Sequence, residues 1–189
     1  MRLVGAAVPA AQAVLVDRLV AVVGEQALTH RDVEAARLLG SIPSSVTPAD
    51  AVQRLVTRAL MQLEVERLAV AAPIAAAVDE RLDRARERVG GPVAFARALE
   101  AMGLSPLRAR EWVADDLRID VYVDQRFTAP AQPTDVEVAQ EAGRGGGDPS
   151  ADGLREARRR LVQARRAALV ADWLKGIRER TSIQIAGPR

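Results

Sequence analysis

Strand patterns occur only at the two ends of this chain, and that limits its fold more than any other feature. Residues 14–23 (VLVDRLVAVV) are rich in Val and broken once by Asp17-Arg18, which reads as a strand. Gly24-Glu25 offers a turn, and Gln26-Ala27-Leu28 a short return strand. Residues 181–185 (TSIQI) alternate polar and apolar like a third strand. Everything between carries helix patterns. A two-stranded hairpin is marginal in water, and a lone strand leaves backbone donors and acceptors unpaired on both edges. The economical solution pairs the last strand with the first hairpin and ties the termini together. The expected fold is mainly α, with a small mixed sheet built from an N-terminal hairpin and a C-terminal strand.

Caps and breakers delimit the helices. Thr29, with Asp32 three residues on, opens a helix to about Leu39. Thr47-Pro48-Ala49-Asp50 combines a cap, Pro at the first position and an early acid, and starts a helix expected to reach about Ala71. Its Val52, Leu55, Val56, Ala59, Leu60 and Leu63 follow three-and-four spacing, and Met61, Val65 and Leu68 widen the face, so it should be buried from two sides. Ala72-Pro73 breaks it. A charged helix follows over residues 74–89, with Glu80 and Arg84 one turn apart. Gly90-Gly91-Pro92 separates it from a short helix over 92–102 that Gly103 closes. Ser105-Pro106 opens a longer helix to about Phe127. Residues 128–133 hold two prolines and are expected to be extended. Thr134 caps a short helix, residues 143–152 read as a flexible Gly-rich linker, and an Arg-rich helix spans 152–180.

At 189 residues the chain suits one domain, or one domain and a tail. Aromatics make up only 3%, so the core must be built from Leu, Val, Ile and Ala. The absence of Cys excludes disulfides and Cys-based metal sites. No apolar run approaches the roughly 18 residues needed to span a bilayer. Residues 150–189 carry nine Arg and one Lys against Asp152, Glu156, Asp172 and Glu179, a net +6; with +2 for the whole chain, the rest carries −4. Two oppositely charged pieces could dock on each other, or the basic one could meet an anionic partner. At the N-terminus, Arg2, an apolar stretch over residues 3–8 and Ala11-Gln12-Ala13 match a short or clipped secretion signal over 1–13, which predicts export to the periplasm.

Several motifs now fall into a familiar order. Residues 16–25 (VDRLVAVVGE) followed by Leu28-Thr29-His30-Arg31-Asp32-Val33 resemble the opening of SurA-like periplasmic chaperones. Residues 55–68 (LVTRALMQLEVERL) are similar to that family's long second helix. Residues 134–141 resemble its segment leading into the first parvulin domain, and 171–178 with Ile183-Gln184-Ile185 its C-terminal helix and strand. The similarity runs from Val14 to about Ile185. It departs in one place: where the family inserts parvulin-type isomerase domains, residues 143–152 are too short to hold one, and the isomerase residues have no counterparts. The resemblance implies a helical chaperone domain over 14–142, a linker over 143–152 in place of the isomerases, and a C-terminal helix and strand over 153–185 completing the same domain. It further implies binding of unfolded outer-membrane or other exported proteins through an apolar crevice, with no catalytic site.

The chemically suggestive residues have structural explanations. His30, the only histidine, sits beside a helix cap. Ser41, Ser44 and Ser45 lie in a loop with no base near them in sequence. Asp116, Asp120 and Asp124 recur at four-residue spacing and would repel one another unless they face cations, the basic C-terminal helix being one candidate. Arg155, Arg158, Arg159, Arg160, Arg165 and Arg166 form a basic run without the interleaved aromatics of a nucleic-acid surface. Gly145-Gly146-Gly147 lacks the Lys-Ser/Thr of a phosphate loop. Trp112 and Trp173 are core anchors or the edge of a peptide crevice. No metal and no cofactor is expected.

The expected activity is reversible, ATP-independent binding of unfolded or extended chains, in a groove lined by Leu60, Met61, Leu63, Val65, Leu68, Trp112, Ile119 and Trp173. Two alternatives stand beside it: an adaptor for one dedicated folded partner such as an envelope assembly component, and an anion-binding protein using the Arg-rich helix; no nucleic-acid partner is expected, and weak contact with an anionic membrane surface is allowed for.

Overall fold

The computed structural model describes residues 17–144 and 150–186, and contains seven helices and three strands among them. The proposed signal over 1–13, the strand residues 14–16 and the glycine run 145–147 lie outside the described residues. The fold is mainly α with a small sheet, as expected.

Strand β1 (Leu19–Val23) pairs antiparallel with β2 (Gln26–Thr29) across Gly24-Glu25, bringing Val23 opposite Gln26 and Ala21 opposite Leu28. Gly24 at φ 60 supplies the positive dihedral that a two-residue hairpin needs at its first central position. Strand β3 (Ile183–Ile185) lies on the other side of β1, with Ala21 opposite Ile185, giving the order β2-β1-β3. The sheet is wholly antiparallel, not mixed. The chain reaches it beside the hairpin turn, where the Gly24 N–H donates to the Ser182 carbonyl at 2.8 Å, so β3 can only run back along β1.

Helix α1 (His30–Leu39) begins in a reciprocal capping box between Thr29 and Asp32 and ends on Gly40 at φ 86. Helix α2 (Pro48–Arg67) has Thr47 as its cap and Pro48 in its first turn. It stops four residues short of the expected Ala71. Ala69 takes φ 49, its N–H reaches the Glu66 carbonyl, and the Val70 N–H reaches Val65. Those two bonds close the helix in a Schellman turn before Pro73 is reached.

Helices α3 (Ala75–Arg88), α4 (Pro92–Met102) and α5 (Pro106–Phe127) follow the expected boundaries closely. Residues 128–131 form a turn and are not extended: the Gln132 N–H donates to the Ala129 carbonyl at 3.2 Å, which puts Pro130 at the second turn position. Helix α6 (Asp135–Gly143) opens in a second capping box, Thr134 with Glu137. Helix α7 (Ala151–Arg180), capped by Ser150, leads back to β3.

Two apolar clusters organise the packing. One joins the sheet (Val20, Val23, Leu28) to α2 (Leu55, Val56, Leu60) and to Ile177 of α7. The other joins the end of α1 to α3, α4 and α5 through Leu39, Leu82, Phe95, Leu99 and Val113. Helix α2 is packed by the sheet, α7 and α5, which bury most of its apolar face but leave Leu68 at its end exposed. Trp112 packs against both clusters.

Candidate functional site

The seam between α2 and α5 holds the most elaborate polar cluster. Arg58 enters it from α2; Trp112 and Asp116 sit one turn apart on α5; Ser41 arrives from the loop after α1. The Arg58 guanidinium pairs with Asp116, donates to Gln62 Oε1 at 2.9 Å and to the Trp112 carbonyl at 3.2 Å, and lies 3.9 Å above the Trp112 ring. The Trp112 indole donates to Ser41 Oγ at 3.0 Å, and the Ser41 hydroxyl donates to Asp116. A carboxylate thus reaches the serine that had none near it in sequence, but it is bound to Arg58. The cluster closes on itself and works as a clamp between helices.

A second cluster joins α2 to the end of α7. Glu64, buried at 7% exposure, accepts from Arg67 at 2.8 Å and pairs with Arg180 at 3.0 Å. Arg67 first, and Arg180 after it, hold its carboxyl well below the usual range, at about 2. Arg178 donates to Thr57 at 3.0 Å. On the neighbouring face of α7, Trp173 meets Tyr122 and Phe127 of α5 with ring centroids 5.5 and 5.6 Å away. Three of the chain's five aromatic residues gather there.

Beside this aromatic cluster α7 carries an open, mostly apolar depression of about 420 Å³, lined by Gln163, Arg166, Ala167, Val170, Ala171 and Leu174. The spacing of these residues places them on one stripe of the helix. A second depression, of about 630 Å³, lies where α3, α4 and α5 meet; Phe95, Leu99 and Leu104 form its floor, with Arg86 and Glu100 among its lining residues. Val93 and Leu107, next in the chain to its lining residues Pro92 and Pro106, are 66% and 65% exposed.

None of the eight residues expected to line a groove lines either of these depressions. Leu60, Val65 and Ile119 are buried, so their apolar surface already faces the protein interior. Met61, Leu63, Trp112 and Trp173 are half-buried, and Leu63, Trp112 and Trp173 pack against the sheet-side cluster. Leu68 alone is exposed, at the end of α2. On α7, Val170 and Leu174 line the depression, and Leu174 also packs against the sheet-side cluster. The α4 depression is the feature that sequence reasoning missed; the brackets Gly91-Pro92 and Gly103 to Pro106, which turn the chain sharply at both ends of α4, were its available signal.

The charges sort themselves between helices. Asp116 meets Arg58 of α2, Asp120 meets Arg81 of α3, and only Asp124 meets the basic helix, through Arg166. Arg158, Arg160 and Arg165 pair with Asp135, Glu141 and Glu137 of α6. Arg165 first, then the Thr134 N–H, hold Glu137 at about 2. Among the described residues no cluster of His, Cys, Asp or Glu could hold a metal ion, and no helix is long and apolar enough to cross a membrane. No protein-family model matches this chain, and no curated protein does.

Proposed function

We propose that this chain is an ATP-independent chaperone module that holds unfolded or extended polypeptides, without isomerase activity or any other catalysis. The observation that carries this reading is the open apolar stripe of α7 beside the Trp173 aromatic cluster, on a helix otherwise rich in Arg. Such a surface offers apolar contact without deep enclosure, which suits weak, fast binding of chains that are ordered only locally. The motif order resembling SurA-like chaperones supports the same reading and extends it to a periplasmic setting and outer-membrane clients. No cofactor enters the proposal.

The adaptor alternative draws on a different observation. The α4 depression, with Val93 and Leu107 exposed beside it, is a second apolar surface remote from α7 in sequence, and a folded partner could seat there. The anion-binding alternative has less support, because Arg158, Arg160, Arg165 and Arg166 each face a carboxylate within the chain.

The deciding experiment dilutes a urea-unfolded β-barrel protein into the purified chain and follows aggregation by light scattering, with a folded control and two salt concentrations. Suppression near stoichiometric ratios, absent for the folded control, is the expected result. Without suppression the adaptor reading takes its place. Binding that collapses with salt and ignores the folding state of the client would favour the anion-binding protein.

A further inference from the structure

Helix α6 is held differently from the other helices. Its close packing is against α7. Its stripe toward that helix is thin: Val138 is its one fully buried side chain, and Val136 points away at 66% exposure. The matching stripe of α7 is Leu154, Ala157 and Leu161, flanked by Arg158 and Arg165; Ala157 is fully buried and the two leucines are half-buried. Three ion pairs, Asp135 to Arg158, Glu137 to Arg165 and Glu141 to Arg160, join the two helices in partly or fully exposed positions. The Arg165 guanidinium also donates to the Gln132 carbonyl at 3.3 Å. A nine-residue helix is marginal by itself, and exposed ion pairs are weak and screened by salt. Ala131 and Pro133 before it are buried and belong to the body of the fold, so α6 can part from α7 only by turning about Thr134.

We propose that α6 is a detachable cover on the N-terminal half of α7, an acidic amphipathic helix occupying an Arg-flanked apolar face that a client segment of the same chemistry, apolar with acidic side chains, takes over. The exchange of occupants rests on the client-binding reading above; the detachment of α6 does not. Charge complementarity names the occupant: three carboxylates of α6 meet three arginines of α7, and an incoming segment that leaves those arginines without carboxylates forfeits the match.

Hydrogen–deuterium exchange on the full chain tests detachment directly. Amides of residues 138–143 are expected to exchange about 100-fold faster than those of residues 55–60 in α2, and faster again at high salt. Val138→Asp should bring α6 to nearly unprotected rates while α2 is unchanged. Equal protection of α6 and α2, lost together in the variant, overturns the proposal. In a second arm, an unfolded β-barrel protein is titrated into parent and variant, and affinity about threefold or more higher for the variant is expected. Equal affinities with fast α6 exchange would show an element that frays without covering anything. If neither protein binds the client, the chaperone reading fails, and the exchange result alone decides whether α6 detaches.

Discussion

Ala69 and Asp116 show how single positions carry unequal weight here. Ala69 closes α2 at φ 49, a conformation that costs an L-residue with a Cβ about 1–2 kcal/mol and glycine almost nothing. Ala69→Gly should therefore stabilise the protein by about 0.5–1 kcal/mol, less than the full strain because glycine also loosens the unfolded chain. Urea unfolding would read this as a higher midpoint at an unchanged slope, and a lower midpoint would reject it. Asp116 acts in the opposite sense. Its side chain and that of Arg58 are only 10% and 11% exposed, so Asp116→Ala strands a guanidinium and removes the acceptor of Ser41. A loss of about 3 kcal/mol is expected. The double variant Arg58→Met, Asp116→Leu should lose clearly less, since neither side leaves an unpaired charge. If the double variant is as damaged as the single, the cost comes from packing and not from the stranded charge.

Among the elements, α2 and α7 are both long, and their apolar stripes have opposite fates. Leu55, Val56 and Leu60 of α2 are essentially inaccessible, and truncating any of the three to a smaller residue should cost about 1–5 kcal/mol. Val170 and Ala171 of α7 line an open depression, while Leu174 beside them also packs against the sheet-side cluster, so polar replacement of the first two should cost little stability and act on binding instead. The double variant Val170→Ser, Ala171→Asp is expected to keep its helical circular dichroism and lose less than about 1.5 kcal/mol, while its suppression of client aggregation falls several-fold. Unaltered suppression would move the client surface away from α7. Val65 and Trp112 cannot serve the same purpose: Val65 is buried, and Trp112 joins both apolar clusters, so changing either destabilises before it informs on binding.

For the molecule as a whole, the closure of the chain on itself contributes to the pH response. Glu64 on α2 is joined to Arg180, three residues before β3, and its carboxyl sits at about 2 against 4.5 for an unperturbed one. A folded-state pKa below the unfolded value contributes stability that is complete above pH 4.5 and is lost as pH falls toward 2. Glu137 works in the same direction on α6, discounted by its exposure. Asp115, raised by burial despite Arg58 and Arg118, has the opposite sign and offsets part of the loss as it protonates. Thermal unfolding of the parent should therefore fall between pH 5 and 3, and Glu64→Gln should flatten that fall while lowering stability at pH 7. An equally steep fall in the variant would assign the acid response elsewhere.

Much of this molecule is legible along the chain because its signals are local. Thr29 with Asp32, Thr47-Pro48, Ser105-Pro106, Thr134 with Glu137, Gly40 and Gly103 mark helix ends by satisfying backbone groups within a few residues, and the structure places the ends there. The pairing of the termini followed from the unmet hydrogen-bonding needs of a hairpin and a lone strand, which have one mutual solution. What the chain alone left open depends on contacts between residues far apart in sequence. That the sheet is wholly antiparallel depends on the path of α7. The early stop of α2 depends on a left-handed residue that carries no glycine signal. Which arginine meets Asp116, Asp120 or Asp124 depends on three different neighbouring helices. The division of the apolar positions into core and open surface was decided in the same way: Leu60 and Val170 are both aliphatic residues on long helices, and only the elements packed around them bury the first and leave the second half-buried in an open depression.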